Sequence, residues 1–410
     1  IDLGPQFGSM NRHAWRFGFL NSRSHHAYHK PYMIRNISTL AKRLAAVAAV
    51  VALPGLLASQ DNVEIVSADA ATVDINVANP LDNQPGLYGS EMIAEKMPVA
   101  EVHASTIVEI EGGLATAWFG GTKEKARDVV IWMSRNKGNG WSRPEVVADG
   151  INPKDRTQQP CWNPVLFKQS TGSLILFYKV GPSPSRWWGM MKRSDDDGET
   201  WKKPVRLPEG FVGPVKNKPI ELSNRPLLCG ASLEDAGWRV QVEKFIQNRY
   251  WSKSKPLNSP LDYAAIQPSL LQYPDGSIQA LCRSKSGRIT ECWSTNGGNK
   301  WTRMLRTQLP NPNAGADGTV LADGRALLVY NHTRSGRSPL NVSVSSNGKE
   351  WEGALVLENQ PGEYSYPAVI QTSDGNVHIT YTHNRANIKH VVVDPTNLKT
   401  VPIVQGQWPQ

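Results

Sequence analysis

Arginine, histidine and tyrosine recur at matching places along this 410-residue chain. Ahead of short apolar runs stand His103, Asn163, Lys216, Lys218, Gln267, Asp317, Tyr364 and Tyr366. Behind the apolar runs that follow stand Lys123, Glu124, Lys179, Arg283, Arg288, His332, Arg334, Arg337, His383 and Arg385. Guanidinium forks hold planar anions through two parallel hydrogen bonds, while imidazole, carboxyl and phenol groups carry protons. Trp162, Trp187 and Trp188 fall in the same stretches and offer flat faces on which a sugar ring stacks. Any one of these cations alone reads as a solvated charge or a surface salt bridge. Gathered on one rim, they point to a ligand bearing a carboxylate, sulfate or phosphate.

What could gather them is a repeat of about fifty residues. Six times an apolar strand meets a turn and a second apolar strand follows, as in Gln267 to Ser284 or Tyr366 to His383. The turns fall at Gly113, Gly172, Asn224, Gly276, Gly324 and Gly375, spaced 59, 52, 52, 48 and 51 residues apart. Three of them are Asp-Gly, a dipeptide suited to the positive φ of a tight hairpin. Most copies continue into a third strand. Fourteen Trp, with many Gly and Pro, suit short strands joined by tight turns.

The third strand leads into a second repeated element. Ser194-x-Asp196-x-Gly198-x-x-Trp201 recurs at Ser134 to Trp141 and at Ser294 to Trp301, and a shortened form runs from Ser345 to Trp351. Asp or Asn closes a turn with its side chain, Gly takes the positive φ, and Trp packs beneath. These are Asp-boxes, and over about residues 95–395 the chain resembles the sialidase (neuraminidase) superfamily of BNR-repeat proteins. The expected fold is all-β, a six-bladed sialidase-like β-propeller closed radially, with a β-solenoid as the structural alternative. In such a ring the residues before each first strand and after each second strand share one face. The Asp-boxes lie on the other and are given no catalytic role.

The resemblance implies a site. Sialidases bind the substrate carboxylate with three arginines and use a tyrosine nucleophile assisted by Glu, with an Asp acid/base, an exception to the two-carboxylate rule of glycosidases. Glu363-Tyr364-Ser365 matches the nucleophile's place and context, Arg283 the second arginine, and Arg337 or Arg334 the third. The first arginine's place reads His103, the helper Glu reads Gln267, and Glu124 is the nearest carboxylate in the acid/base loop. The expected catalytic set is therefore Tyr364, His103, Glu124 and Gln267. The expected substrate-binding set is Arg283, Arg337, Arg334, Asn163, Lys218, Asp317, Tyr366 and Trp188. His103, Gln267, Arg283, Arg337 and Tyr364 are expected to converge on one central pocket.

Lys and Arg number 45 against 36 Asp and Glu, but residues 1–58 hold seven of the cations and one acid, leaving 38 against 35. The basic balance belongs to the N-terminal segment and does not argue for nucleic acid. The chain opens on Ile1, so its first residues read as appended or upstream sequence. Arg35, Lys42 and Arg43 precede an apolar run from Leu44 to Ala58, too short to span a bilayer comfortably. Residues 1–60 are thus expected to be an unstructured or helical leader, a signal peptide or anchor. Residues 61–94 read as a lead-in and 95–400 as the propeller. The localisation expected is secreted or within the secretory pathway, with an organelle-targeting or membrane-anchoring segment as the alternative. Cys161, Cys229, Cys282 and Cys292 show no metal-binding spacing, and Cys282 and Cys292 read as buried thiols that could meet across a hairpin. No nucleotide loop or metal-ligand cluster is present, so no cofactor is expected.

The leading functional expectation is an exo-acting, sialidase-like glycoside hydrolase on a terminal sialic or uronic acid of a glycan. A lyase on a uronate-containing glycan, with His103 and Tyr364 moving protons beside the arginines, is the second. A non-catalytic glycan-binding propeller is the third, since fold does not fix function.

Overall fold

The computed structural model describes residues 80–409 apart from 153 and 154. The leader expected over residues 1–60 and most of the lead-in lie outside the described residues.

The described chain forms six antiparallel sheets, each one blade. Blade 1 runs Glu101–Ile110, Gly113–Gly121, Val130–Asn136 and Glu145–Ala148. Blade 2 runs Cys161–Lys168, Leu174–Val180, Trp188–Ser194 and Val205–Arg206. Blade 3 begins with the short strand Ile220–Glu221 and continues through Leu227–Leu233, Arg239–Ile246 and Tyr250–Lys253. Blade 4 holds Ala265–Gln272, Ile278–Ser284, Arg288–Ser294 and Leu305–Pro310. Blade 5 holds Asp317–Val320, Ala326–Tyr330, Leu340–Ser345 and Glu352–Glu358, to which Val401–Pro402 adds a fifth strand.

Blade 6 closes the ring. Tyr364–Gln371, Val377–His383 and Asn387–Val393 are completed by Leu87–Met92, which pairs with the third of these. The expected lead-in over residues 61–94 therefore contributes a blade strand, and the propeller reaches further toward the N-terminus than its repeat pattern indicates. An isolated strand of mostly exposed residues carries little periodic signal.

Every seam between neighbouring blades has its own apolar cluster. Ala117, Ile131 and Leu176 meet between blades 1 and 2, and Ile175, Leu227 and Phe245 between blades 2 and 3. The seam of blades 5 and 6 holds Leu327, Val342 and Tyr381, and that of blades 6 and 1 holds Ile107, Leu114 and Ala368. Burying a side chain such as Phe177 or Leu166 contributes about 1.5–3 kcal/mol. All four cysteines are free and buried within this packing.

The Asp-boxes reach across these seams at the hairpin end of the blades. Asp197 of blade 2 accepts the Glu111 amide of the blade 1 hairpin at 2.9 Å, and Trp141 of blade 1 donates to Glu91 of blade 6 at 2.9 Å. Within the blade 4 box, Ser294 Oγ accepts the Gly298 amide at 3.0 Å. Gly298 has φ +73°, and a Cβ there would fall 2.8 Å from Leu228 of blade 3.

Candidate functional site

The innermost strands do not run evenly. In blades 1, 2, 4 and 6 the pairing skips between His103 and Thr106, Trp162 and Val165, Ile266 and Ser269, and Ser365 and Ala368. At each skip one non-glycine residue has positive φ: Ala104 at 56°, Asn163 at 35°, Gln267 at 55° and Tyr366 at 53°. Proline follows three of the four, and it has no amide to give the ladder, so pairing must break there. A bulge re-aims side chains, and a left-handed non-glycine residue is retained only where its surroundings impose it. Here the bulges turn Asn163, Gln267 and Tyr366 toward the propeller axis, with His103 beside them.

They line a cavity of about 180 Å³. Its walls add Phe119 and Glu124 from blade 1, Trp162 and Trp187 from blade 2, Glu234 and Trp238 from blade 3 and Arg283 from blade 4. Arg283, only 7 % exposed, is held on both edges of its guanidinium. Its Nη1 donates to Tyr366 Oη at 2.7 Å and to Gln267 Oε1 at 3.2 Å, while Nε and Nη2 donate to Asn313 Oδ1 at 3.1 and 2.9 Å. Gln267 Nε2 also donates to Tyr366 Oη, at 3.3 Å. The phenol oxygen thus receives two hydrogen bonds, and its own hydrogen is left for a ligand.

The His103 ring lies 4.3 Å from that of Tyr366, centroid to centroid. Its Nδ1 is buried without a partner among the described residues. Burial, then the charges of Arg385, Arg337, Arg283 and Lys216, holds the imidazole well below its usual pKa. At neutral pH His103 is therefore neutral, and it can accept a proton. Arg337 Nη1 is a second buried donor without a partner among the described residues. Arg385 is committed to carboxylates, donating to Glu124 Oε2 at 2.7 Å and Glu363 Oε2 at 2.9 Å. Glu234 differs: burial raises its pKa against the pull of Arg283, a hydrogen bond with Trp238 and Lys285.

Beneath the cavity, Lys216 spans three blades. Its ammonium donates to Asn217 Oδ1 at 2.8 Å and to the carbonyls of Ala316, at 3.5 Å, and Pro367. Asn217 Nδ2 donates to the Gln267 carbonyl at 3.2 Å. Burial lowers the Lys216 pKa to about 7.

His103, Glu124, Gln267, Arg283, Asn163 and Tyr366 are thus brought together, with Arg337 near enough for its charge to act on His103. Others of the expected set are not. Tyr364 is 4 % exposed and packs in the cluster between blades 5 and 6, its ring 5.2 Å from His383. The correction has a local cause: the left-handed turn at Tyr366 breaks the strand's alternation and sends Tyr366, not Tyr364, to the axis. Lys218 and Asp317 pair with each other at 3.1 Å, and Asp317 also accepts Ser269 Oγ at 2.8 Å and the Val369 amide at 3.0 Å. Both are spent tying blades together. Arg334 is exposed on its loop, and Trp188 lines a neighbouring groove. Glu234 and Trp238 were not anticipated, although Glu234 directly follows the second strand of blade 3, where the rim pattern applies. Asn313 gave no signal at all.

Among the described residues no three or more His, Cys, Asp or Glu side chains come together as metal ligands. No described helix is long and apolar enough to cross a membrane.

The sequence profile of the BNR repeat-like domain matches residues 112–379. The chain belongs to the BNR repeat-like family. Solved structures place its fold among the sialidases. A Dyadobacter fermentans protein of unknown function is 15 % identical with a TM-score of 0.64, over 76 % of this chain and 99 % of its own. The NanB sialidase of Streptococcus pneumoniae is 12 % identical with a TM-score of 0.61, over 78 % of this chain and 72 % of its own. The intramolecular trans-sialidase of Ruminococcus gnavus is 13 % identical with a TM-score of 0.62, over 77 % of this chain and 99 % of its own. At such identities the likeness is one of fold, and it supports the sialidase-like propeller expected from the repeats. No curated protein sequence matches the chain.

Proposed function

We propose that this BNR-family propeller is an exo-acting, sialidase-like glycoside hydrolase that takes one terminal anionic sugar of a glycan into the axial cavity. The observation that carries the reading is Tyr366: a phenol in the wall of the axial cavity, bound by Arg283 and packed against a neutral histidine. In this reading Arg283, in the cavity wall, and Arg337, whose buried Nη1 has no partner among the described residues, hold the sugar's carboxylate. Tyr366 Oη attacks the anomeric carbon as His103, made more basic once the bound carboxylate offsets the cations around it, takes the phenol's proton. Glu234, whose burial favours the protonated carboxyl, delivers a proton to the leaving oxygen. Trp162, Trp187 and Trp238 give the ring stacking faces, and a cavity near 180 Å³ suits one ring rather than a chain threaded through. The solved neighbours named as sialidases support the class, and the leader read in residues 1–60 supports export toward extracellular glycans.

A second reading is favoured by one specific observation, that Tyr366 has Gln267 rather than a carboxylate as its partner. Elimination on a uronate needs a cation on the carboxylate, a base for the proton alpha to it and an acid for the leaving oxygen. Arginine, His103 and Tyr366 make such a set. Incubation with sialylated and uronate glycans separates the two. Free sugar is expected, an absorbing unsaturated uronate would replace hydrolysis with elimination, and no product at all would leave a glycan-binding propeller.

A further inference from the structure

A groove of about 360 Å³ lies beside the axial cavity, lined by Lys125, Arg127, Arg186 and Trp188. The two cavities share their walls. Along one loop Glu124 faces the axial cavity and Lys125 the groove, with φ of +75° at Lys125 dividing them. Along another loop Pro184 and Trp187 line the cavity while Pro182, Arg186 and Trp188 line the groove. A molecule leaving the axial cavity over either loop enters the groove.

Its charge is uncompensated among the described residues. Lys125, Arg127 and Arg186 are exposed, and none forms a side-chain hydrogen bond or ion pair with another described residue. Carboxylates of the same region are engaged elsewhere, Glu124 by Arg385 and Asp128 by the Thr122 amide at 2.8 Å. Trp188 forms the apolar wall among these cations, packed on the core cluster of blades 1 and 2 and with the Arg206 guanidinium over its ring, 4.6 Å from the ring centre. Three cations without partners among the described residues, beside an indole wall, suit an anionic pyranose, its ring edge against the indole and its carboxylate or sulfate on the cations.

We infer that this groove is a second sugar subsite, which receives an anionic residue on the leaving-group side of the bond. The inference rests on the axial cavity holding the terminal sugar. It makes the substrate an acidic oligosaccharide with charge beyond its terminal residue, rather than one acidic sugar on a neutral chain.

Calorimetric titration of the whole protein tests it with four probes: galacturonic acid, trigalacturonate, N-acetylneuraminic acid and sialyllactose, whose inner residues are neutral. Trigalacturonate should bind about tenfold more tightly than galacturonic acid, three exposed ion pairs being worth roughly that much. Sialyllactose should show no comparable gain over N-acetylneuraminic acid, and the trigalacturonate gain should shrink as salt screens it. The combined Lys125→Gln, Arg127→Gln, Arg186→Gln variant should lose that gain while binding galacturonic acid as the parent does. Arg283→Ala, in the axial cavity, should instead lose galacturonic acid. If trigalacturonate binding survives Arg283→Ala but falls in the triple variant, the subsite stands and the axial reading falls. Parental affinity for trigalacturonate in the triple variant overturns the subsite whatever Arg283→Ala does. Failure of the parent protein to bind any probe overturns both.

Discussion

Arg283 Nη1 donates to Tyr366 Oη at 2.7 Å, joining blade 4 to blade 6 with blade 5 between them in the ring. The two residues lie 83 positions apart and meet only because the ring is closed. Arg283 is fixed in turn by Asn313 and Gln267, so the phenol oxygen is positioned by a guanidinium that cannot swing away. A fixed donor at a reacting oxygen needs no reorganisation when charge develops there.

The first expected outcome separates two tyrosines two residues apart. Tyr366→Phe should abolish turnover of a susceptible glycan while binding survives, because only the attacking oxygen is lost. Tyr364→Phe should keep nearly all activity, since that side chain is packed between blades 5 and 6. Kinetics of the two purified variants decide it, and equal losses would remove Tyr366 from the reaction.

Arg283→Lys keeps the charge but loses the fork. A lysine cannot hold Asn313, Gln267 and Tyr366 at once. We expect kcat/KM to fall roughly 10- to 100-fold, with folding intact by circular dichroism. An unchanged kcat/KM would show that the bridge to Tyr366 does no work.

Much of this was legible in the sequence. The hairpin spacing and the Asp-boxes are local patterns, and they lead to six blades because each repeat must bury its faces against its neighbours. The rim pattern also located His103, Gln267 and Arg283. Tyr364 and Tyr366 could not be separated that way, because alternation puts both on one face and only the bulge at Tyr366 divides them. Asp317 looked like a ligand-binding rim residue, yet its partners Lys218, Ser269 and Val369 come from three other blades. Contacts of that range leave no local trace.

Four buried histidines and the half-buried His383 should make the fold acid-labile. Burial lowers the pKa of His103, His332, His378, His383 and His390 from 6.5, to about 4 for His332 and His378. Below pH 6.5 the unfolded chain takes up protons that the native one refuses, so stability should fall between pH 6.5 and about 4. Glu243, raised to about 7 mainly by burial, and Glu234, also raised by burial, work the other way over part of that range, as two groups against five. Melting temperatures at pH 7 and pH 5 should show the loss, and a higher value at pH 5 would contradict it.

The Asp-boxes should matter to stability alone. Trp351 of the blade 5 box is 1 % exposed, and Trp351→Ala should cost about 3–5 kcal/mol. Ser294→Ala removes the acceptor of the Gly298 amide and should cost about 1–2 kcal/mol. Neither box residue lines the axial cavity. Denaturant titration should register both losses, while sugar affinity at a temperature where each variant is folded stays at the parental value.

Lys216 ties position to pH. Its ammonium binds the Pro367 carbonyl, directly after the bulge that aims Tyr366, while its neighbour Asn217 holds the Gln267 carbonyl. Lys216→Met keeps much of the bulk but leaves the Pro367 and Ala316 carbonyls without their donor, and Tyr366 less firmly aimed. We expect kcat to fall further than KM rises, as for a residue that acts through another's position. A stability readout accompanies this. The native pKa is lowered from 10.5 to about 7 by burial, so above pH 7 the unfolded chain holds a proton that the native chain releases. This group's contribution to stability therefore rises with pH from about 7 toward 10.5. Measured from pH 7 to 9, the parent should gain stability relative to Lys216→Met. Parallel pH profiles, together with an unchanged kcat, would reduce Lys216 to filler beneath the cavity.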